Sequence, residues 1–372
     1  MASLKILHIG NELSWRGGEN QVRLLISGLR SFGVESFVAY PKESRGFVRF
    51  SELRGPQGPV DVLGLPSRRA FDPRNVRELV RWCTQHKIQI LDAHSSGAMS
   101  MAIKVKKRLP KLKLIVHRRV DNPIKRSWVT RRKYLNPKID RYVCISNAIG
   151  RIVEEYGVKP DRISIIRSAV EETPYIHLDK MAAKHGLAGN SVPLDIAWIG
   201  NASAFTKQKG HDTLIRACQI LQERSVRYVC WLAGDGPMLK QSQRLVEDLN
   251  LADEIKFIGH LQHVTKFISA LDILAVPSNN EGLGTILLEG AHAHCALVAS
   301  KVGGIPEIIH HGETGFLIKP GDARELADRL EELITNGPQR EKFATAARDF
   351  VHANFSVEQM VRGNLEVYRE LI

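Results

Sequence analysis

The 372-residue chain contains no stretch approaching the roughly 20 consecutive apolar residues a membrane-spanning helix needs. Its start, MASLKILHIGN, carries one Lys and a short apolar run ending in His and Gly, which predicts a first strand and not a signal peptide. Cysteine is scarce: Cys83, Cys144, Cys218, Cys230 and Cys295 are scattered, odd in number and mostly set inside apolar patterns. With no Cys-x-x-Cys and no zinc spacing, a disulfide framework and a structural zinc site are excluded, and a reducing cytoplasm is the expected compartment. The chain also lacks an Asp-x-Asp pair of the kind that holds a divalent cation. Recognition-helix, RNP and zinc-finger patterns are missing too, which argues against nucleic acid as the partner.

Acidic residues are short in one place. Between Lys104 and Lys138 there are 14 Lys or Arg against one acid, Asp121, with Trp128 and Tyr134 interleaved, so the net charge of +13 is unevenly spread. An anionic membrane surface, an acidic acceptor and a nucleic acid all present repeated negative charge, and charge alone does not choose among them.

What the chain has is apolar periodicity, with 43% hydrophobic residues. Short apolar runs alternate with longer amphipathic segments, the pattern of parallel-sheet α/β domains. Single cores usually stop growing near about 250 to 300 residues, so this length predicts two domains. In the first half the strand-like runs are LKILHIG, SFVAY, VDVLGLP, IQILDAH, LKLIVHR, DRYVCIS and DRISIIR; in the second they are LDIAWIG, YVCWLAG, IKFIG, DILAVP, ALVAS and GFLIK. Helical periods lie between them, one ending on Gly33 and another running from Ser146 to Gly157. Residues 168–193 break the rhythm and read as a linker. The expected division is 1–170 and 171–351, with a tail of about 352–372 returning to the first domain.

Several loops at predicted strand ends of the second half are equipped for one nucleotide-bearing ligand. Lys209 and Gly210 stand immediately before a helix, and Lys207 is a second cation there. Gly234 opens a GDGP turn, and the strand end at Ile258 offers backbone groups to a base edge. In PSNNEGLGTILLEG, Glu281 and Glu289 stand eight residues apart, straddling a Gly-broken turn and a helix expected from about Thr285. Such a helix start attracts phosphate. A solvated surface role for either Glu is the bland alternative, and their spacing does not make them an acid/base couple of the glycosidase kind.

Taken in order, the loops KG, GDGP, FIG, PSxxEGxGxxxLE and GGxxE resemble glycosyltransferase family 4, the retaining, nucleotide-sugar-dependent enzymes of the GT-B fold. The resemblance covers nearly the whole chain. In the first half the family's glycine-rich donor loop matches Gly17 and Gly18 in WRGGENQ, and its active-site histidine matches His94 in LDAHSSG. It implies an α/β architecture of two Rossmann-like domains facing each other across a cleft, an acceptor-binding one and then a donor-binding one. Glu289 would hold the ribose hydroxyls, and Glu281 would contact the donor sugar. The N–H groups of Leu283, Gly284 and Thr285 would lie near the pyrophosphate, Lys209 would neutralise the leaving diphosphate, and His94 would touch the donor sugar or reacting centre. Retention in this family is assigned to same-face attack with a phosphate oxygen taking the proton, so metal-independent catalysis is expected, with no cofactor beyond the nucleotide-sugar substrate.

The chain departs from the family pattern in four places. Asn201 stands where many members have Arg, Ser168-Ala169 replaces an Asn-Gly, and His294, Cys295 and Ala296 replace a Gly-x-Pro. The fourth is the unusually basic segment, where Arg118, Arg119, Lys125, Arg126, Arg131, Arg132 and Lys133 are the expected acceptor or membrane contacts. The reading that follows is transfer of a hexose or related sugar from a UDP-type donor to an anionic envelope glycoconjugate such as a lipopolysaccharide core intermediate, at the inner face of the cytoplasmic membrane. The alternatives are a polyanion- or nucleic-acid-binding protein without catalysis, and a GT-B epimerase or phosphorylase.

Overall fold

A computed structural model describes residues 3–55, 57–188 and 192–372. The chain forms two compact units, Met1–Ala169 with Val357–Ile372, and Val170–Ser356. The expected boundaries at 170 and 352 lie one and five residues from these.

The first unit is built on a seven-stranded parallel sheet of β1 (Lys5–Ile9), β2 (Glu35–Pro41), β5 (Asp61–Leu65), β6 (Ile90–Ala93), β7 (Lys113–Arg118), β8 (Arg141–Cys144) and β9 (Ile163–Ile165). Their order is β5-β2-β1-β6-β7-β8-β9. A two-stranded hairpin, β3 (Arg54–Gly55) with β4 (Gly58–Pro59), lies outside this sheet and went unread in the sequence. The second unit has a six-stranded parallel sheet: β10 (Ala197–Ala202), β11 (Tyr228–Ala233), β12 (Ile255–Gly259), β13 (Ile273–Val276), β14 (Ala296–Ser300) and β15 (Phe316–Ile318). Its order is β12-β11-β10-β13-β14-β15. All 13 sheet strands fall on the apolar runs picked out above.

Continuous apolar strands form because helices cover both faces of a parallel sheet, leaving no solvent face to pattern. Helix Asn147–Glu155 shows how local chemistry sets the ends: Ser146 Oγ accepts from the Ile149 N–H at 3.2 Å, and Gly157 turns the chain out at φ +108°. His294 follows helix Thr285–His292 at φ +58°, the left-handed conformation in which chains commonly leave a helix.

Helix Val357–Leu371 belongs to the first unit. Its Met360, Val361, Leu365, Val367 and Tyr368 share a buried cluster with Ile6 of β1 and with Leu24, Leu25 and Leu29 of helix Gly17–Ser31. The two helices come so near that a Cβ on Gly28 would sit 2.3 Å from Val361 Cγ2.

In each sheet the strand order reverses once, between β1 and β6 and between β10 and β13. Open α/β sheets bind ligands at the carboxyl ends of the strands beside such a switch point. Among the residues singled out from the sequence, His94 follows β6, Lys209 follows β10 and Glu281 follows β13.

Candidate active site

In the second unit, β10 and β13 lead into two loops that are stitched together. Asn279 N–H donates to the Gln208 carbonyl at 2.7 Å, Asn279 Nδ2 to the Lys207 carbonyl at 2.9 Å, and Gln208 Nε2 to the Asn280 carbonyl at 2.9 Å. This fixes the short 3-10 turn Lys207–Lys209 against the loop that carries Glu281. Lys209 Nζ then donates to Glu281 Oε2 at 2.6 Å, and Ser278 Oγ to the same oxygen at 3.3 Å. Their side chains remain 23% and 13% exposed, so the pair is sheltered but reachable.

Gly284, at φ +86°, begins helix Thr285–His292, with Leu283 buried beneath it. The first N–H groups of a helix have no carbonyl of their own helix to bond, which leaves the start at Thr285 able to receive an anion. Glu289 lies one turn further on, partly buried, with Tyr175 Oη donating to its Oε2 at 3.2 Å. Burial pushes its carboxyl up to about 7, against the opposing pull of the Tyr175 hydrogen bond. Tyr175 comes from the segment read as linker and was not foreseen.

Two expected donor contacts, Asn201 and Gly234, have internal duties. Asn201 is buried: its Nδ2 donates to the Ala275 carbonyl at 2.7 Å and its Oδ1 accepts from Ser203 Oγ at 2.7 Å, joining β10 to β13. Its side chain braces the switch point and does not stand in for an outward Arg. Gly234 donates its N–H to the Gly259 carbonyl at 2.7 Å, and an added Cβ would fall 1.9 Å from the Ser203 carbonyl. Ile258 is the extra residue where the β11–β12 register shifts, so no β11 residue stands opposite it. Lys207 is exposed.

In the first unit, Gly17 and Gly18 open helix Gly17–Ser31, and a Cβ on either would meet nothing within 4 Å. His94, just past β6, has a side chain only 2% exposed. It sits in a cluster the sequence reading did not assemble. His8 Nδ1 lies 3.0 Å from His94 Nε2 and 3.3 Å from Asp92 Oδ2, and Tyr368 Oη donates to Asp92 Oδ2 at 2.6 Å. His117 Nε2 is 3.2 Å from the same oxygen, while Arg119 Nη2 is 3.2 Å from His94 Nδ1 and 3.4 Å from His117 Nδ1. Burial drives the His94 and His117 imidazoles below their usual range, His94 furthest, so both are neutral. Burial alone would raise Asp92, but the facing imidazoles and their hydrogen bonds reverse this and hold it well below the usual carboxylate range. The available signal was a polar residue at the end of each of three neighbouring apolar runs: KILHI, ILDAH and KLIVHR.

Among the described residues, His8, Asp92 and His94 are the one group whose ligand atoms lie close enough to share a metal ion. A guanidinium is always a donor. With Arg119 at Nδ1, the proton of neutral His94 must sit on Nε2, the very atom a metal would require bare. The donor set therefore does not suit a cation.

The basic segment divides. Arg118 is buried; its Nη1 donates to Tyr134 Oη at 2.8 Å and its Nη2 to the Asn122 carbonyl, so it braces the segment and does not face an acceptor. Arg119 is spent on the two histidines. Lys133 Nζ donates to Ser96 Oγ at 2.7 Å, and burial lowers it to about 8. Lys125, Arg126, Arg131 and Arg132 are exposed. Lys125 and Arg126 precede, and Arg131 and Arg132 lie in, helix Trp128–Tyr134, which buries none of its residues and leaves Trp128 71% exposed.

Comparison with known proteins accords with both halves of this arrangement. Residues 15–173 match the family model Glycosyltransferase Family 4, and residues 193–350 match Glycosyl transferases group 1. N-acetyl-alpha-D-glucosaminyl L-malate synthase of Bacillus anthracis is 27% identical over 58% of this chain and 56% of its own length. The lipopolysaccharide core biosynthesis glycosyltransferase LpsD of Rhizobium meliloti is 26% identical over 62% of this chain and 64% of its own. The matched stretches thus span under two thirds of these relatives. Among solved structures, a glycosyltransferase from Rickettsia africae superposes with a TM-score of 0.87 at 20% identity, covering 100% of this chain and 99% of that one. HepE of Anabaena, in complex with UDP and glucose, gives 0.84 at 19% identity over 99% and 100%. Two parallel-sheet units with these neighbours are the GT-B fold, and the chain belongs to the family 4 type of glycosyltransferases.

Proposed function

We propose that the protein is a retaining, metal-independent glycosyltransferase that moves a hexose or related sugar from a UDP-sugar to an anionic envelope glycoconjugate, with a lipopolysaccharide core intermediate as the favoured acceptor. The observation that carries this is the loop cluster of the second unit. One sheltered cation, Lys209, one paired acid, Glu281, one open helix start at Thr285 and one partly buried acid, Glu289, lie on two loops bonded to each other. Cleavage of the donor builds negative charge on the leaving diphosphate and positive charge on the anomeric carbon. Lys209 and the helix start stabilise the first. Glu289 holds the ribose, and Glu281 addresses the sugar once Lys209 turns to phosphate. No protein nucleophile is required if the acceptor hydroxyl attacks on the face the leaving group vacates and a phosphate oxygen takes its proton. The UDP bound by HepE and the lipopolysaccharide role of the Rhizobium relative support the choice of donor and acceptor.

The test is transfer and donor hydrolysis measured across a panel of nucleotide sugars, preceded by thermal-shift screening for the donor that binds. Absence of both stabilisation and turnover with every UDP-sugar would sink the reading.

Glu289 predicts a pH dependence. Its folded-state carboxyl near 7 lies above the ordinary 4.5, so the folded protein holds this proton as pH rises past 4.5. Its contribution to stability is fullest below 4.5 and is lost as pH rises through 7. Donor binding runs the other way, because the ribose hydroxyls need the anion. The donor KM is expected to be roughly tenfold higher at pH 6 than at pH 8, and Glu289→Gln should flatten both trends. A donor KM unchanged over this interval contradicts the role.

The exposed helix Trp128–Tyr134 and its four arginines and lysines would place the protein on the cytoplasmic face of an anionic membrane. Each basic residue near such a surface is worth about 1 kcal/mol. Arg131→Ser with Arg132→Ser is expected to weaken binding to phosphatidylglycerol vesicles by roughly 30-fold at low salt. Sedimentation with vesicles measures this, and equal binding by the variant would remove the membrane role.

A further inference from the structure

The buried cluster at the β1–β6–β7 edge contains more than the family-matched His94, and its hydrogen bonds have a direction. Arg119 has only protons to give, so the Nδ1 atoms of His94 and His117 are both acceptors. Each neutral ring then carries its proton on Nε2. The His117 proton faces Asp92; the His94 proton faces His8 Nδ1 at 3.0 Å, with Asp92 Oδ2 at 3.5 Å. Asp92, fully buried, also receives the Tyr368 hydroxyl, so an acid in β6 is tied to the C-terminal helix. The register pairs His8 directly with Asp92 across β1 and β6, and Asp92 and His94 are two residues apart, hence on one face of the sheet.

One bond in this set is held less firmly than the rest. Arg119 Nη2 is shared between two imidazoles at 3.2 and 3.4 Å, so it can release one and keep the other. The His94 nitrogen it would release is Nδ1, and Nδ1 holds a lone pair. The opposite nitrogen is committed below to His8 and Asp92.

We propose that Arg119 and Asp92, the latter with Tyr368 of the C-terminal helix, are positioning residues that lock His94 in the Nε2–H tautomer and so reserve its Nδ1 as an acceptor for a substrate hydroxyl. This rests on the reading of His94 as a substrate-contacting residue of the first unit. It assigns Arg119 away from acceptor or membrane contact, and it makes the C-terminal helix a working part of the site. A substrate analogue lacking the hydroxyl would leave Arg119 where it is; one with an acceptor in its place would meet lone pair against lone pair.

The tautomer is read directly, without substrate, from long-range ¹H–¹⁵N correlation spectra of protein labelled on histidine, with the His94 signals assigned by their loss in His94→Gln. Wild type is expected to show the proton on Nε2 throughout pH 6 to 8. Arg119→Met should give a mixture of tautomers and a kcat lower on the order of 10–100-fold, while the donor KM changes less than about threefold. Arg119→Lys, which still has a proton to give, should restore the tautomer and most of the rate. Tyr368→Phe removes a donor from the Asp92 anion, so the acid limb of the kcat profile should move to higher pH. A wild-type His94 protonated on Nδ1 overturns the proposal whether or not any variant folds. So does an Arg119→Met enzyme that keeps both tautomer and kcat. Failure of wild type to transfer from any donor would count against the functional reading instead, since the spectrum stands without it.

Discussion

Lys209→Ala is expected to lower kcat for transfer by about 10²–10³-fold, the usual loss when a preorganised charge at a leaving oxyanion is removed. Lys209 is not held there by chance packing. Its turn is bonded at three points to the Glu281 loop, and its ammonium meets Glu281 at 2.6 Å. This contact also predicts how Lys209 and Glu281 behave together. With Glu281 gone, Lys209 loses the partner that orients it; with Lys209 gone, Glu281 is a partly buried anion beside the site of the diphosphate. Losses in the double variant should therefore fall short of the product of the singles, by a coupling of about 0.5–3 kcal/mol. Lys207→Ala is the internal control: Lys207 is exposed and its backbone, not its ammonium, is the part bonded to Asn279. Full activity in Lys209→Ala would remove the assignment, and strict multiplicativity with Glu281→Ala would show that the two act apart.

Gly210→Ala should be nearly as damaging, by a different route. Gly210 is at φ +65°, and a Cβ there would stand 2.0 Å from the Pro277 carbonyl oxygen. Two penalties combine: a left-handed backbone costs an alanine roughly 1–2 kcal/mol, and the obstacle is main chain, which cannot rotate aside. Relief comes only if the turn carrying Lys209 separates from the loop carrying Glu281. We expect a loss of stability on the order of 3 kcal/mol or more together with loss of transfer. Denaturant unfolding and the transfer assay read the two effects separately. Gly33→Ala is the comparison: it shares a positive φ, +77°, but nothing lies within 4 Å of an added Cβ. Similar stability losses at both positions would show that conformation alone, and not the close approach to Pro277, is responsible.

The sequence was most legible where burial is two-sided. The sheet strands announced themselves as apolar runs because helices cover both faces of a parallel sheet, and their buried polar residues, such as His8, Asp92 and Asn201, are isolated within those runs. The hairpin Arg54–Pro59 has two-residue strands, too short to carry a period. At the site, Lys209 and Glu281 were readable separately as residues beside turns, but not as a pair, since 72 positions separate them. Tyr368 and Asp92 are 276 apart, and no local pattern connects them. The basic segment was misread in part for a related reason. Arg118 and Arg119 look like their neighbours Lys125 and Arg126, yet Arg118 is the last residue of β7 and shares the strand's burial, and Arg119, which follows it, is partly buried with its guanidinium turned to His94 and His117. Composition announces charge; only the strand end tells which charges face inward.

The division of the chain has a consequence for how the molecule is made. The first unit is mostly synthesised first, but Met360, Val361, Leu365, Val367 and Tyr368 of its core lie beyond all of the second unit in sequence. At about 5–20 residues per second, the ribosome needs roughly 9 to 37 seconds to cover residues 170–356. Through that interval Ile6, Leu24 and Leu29 lack the helix that covers them, and Asp92 lacks its tyrosine. The unit begun first is thus finished last, and a sheet face with exposed apolar surface waits on the emergence of helix Val357–Leu371, which makes the nascent first unit a natural client for a chaperone and a poor candidate for expression as residues 1–169 alone.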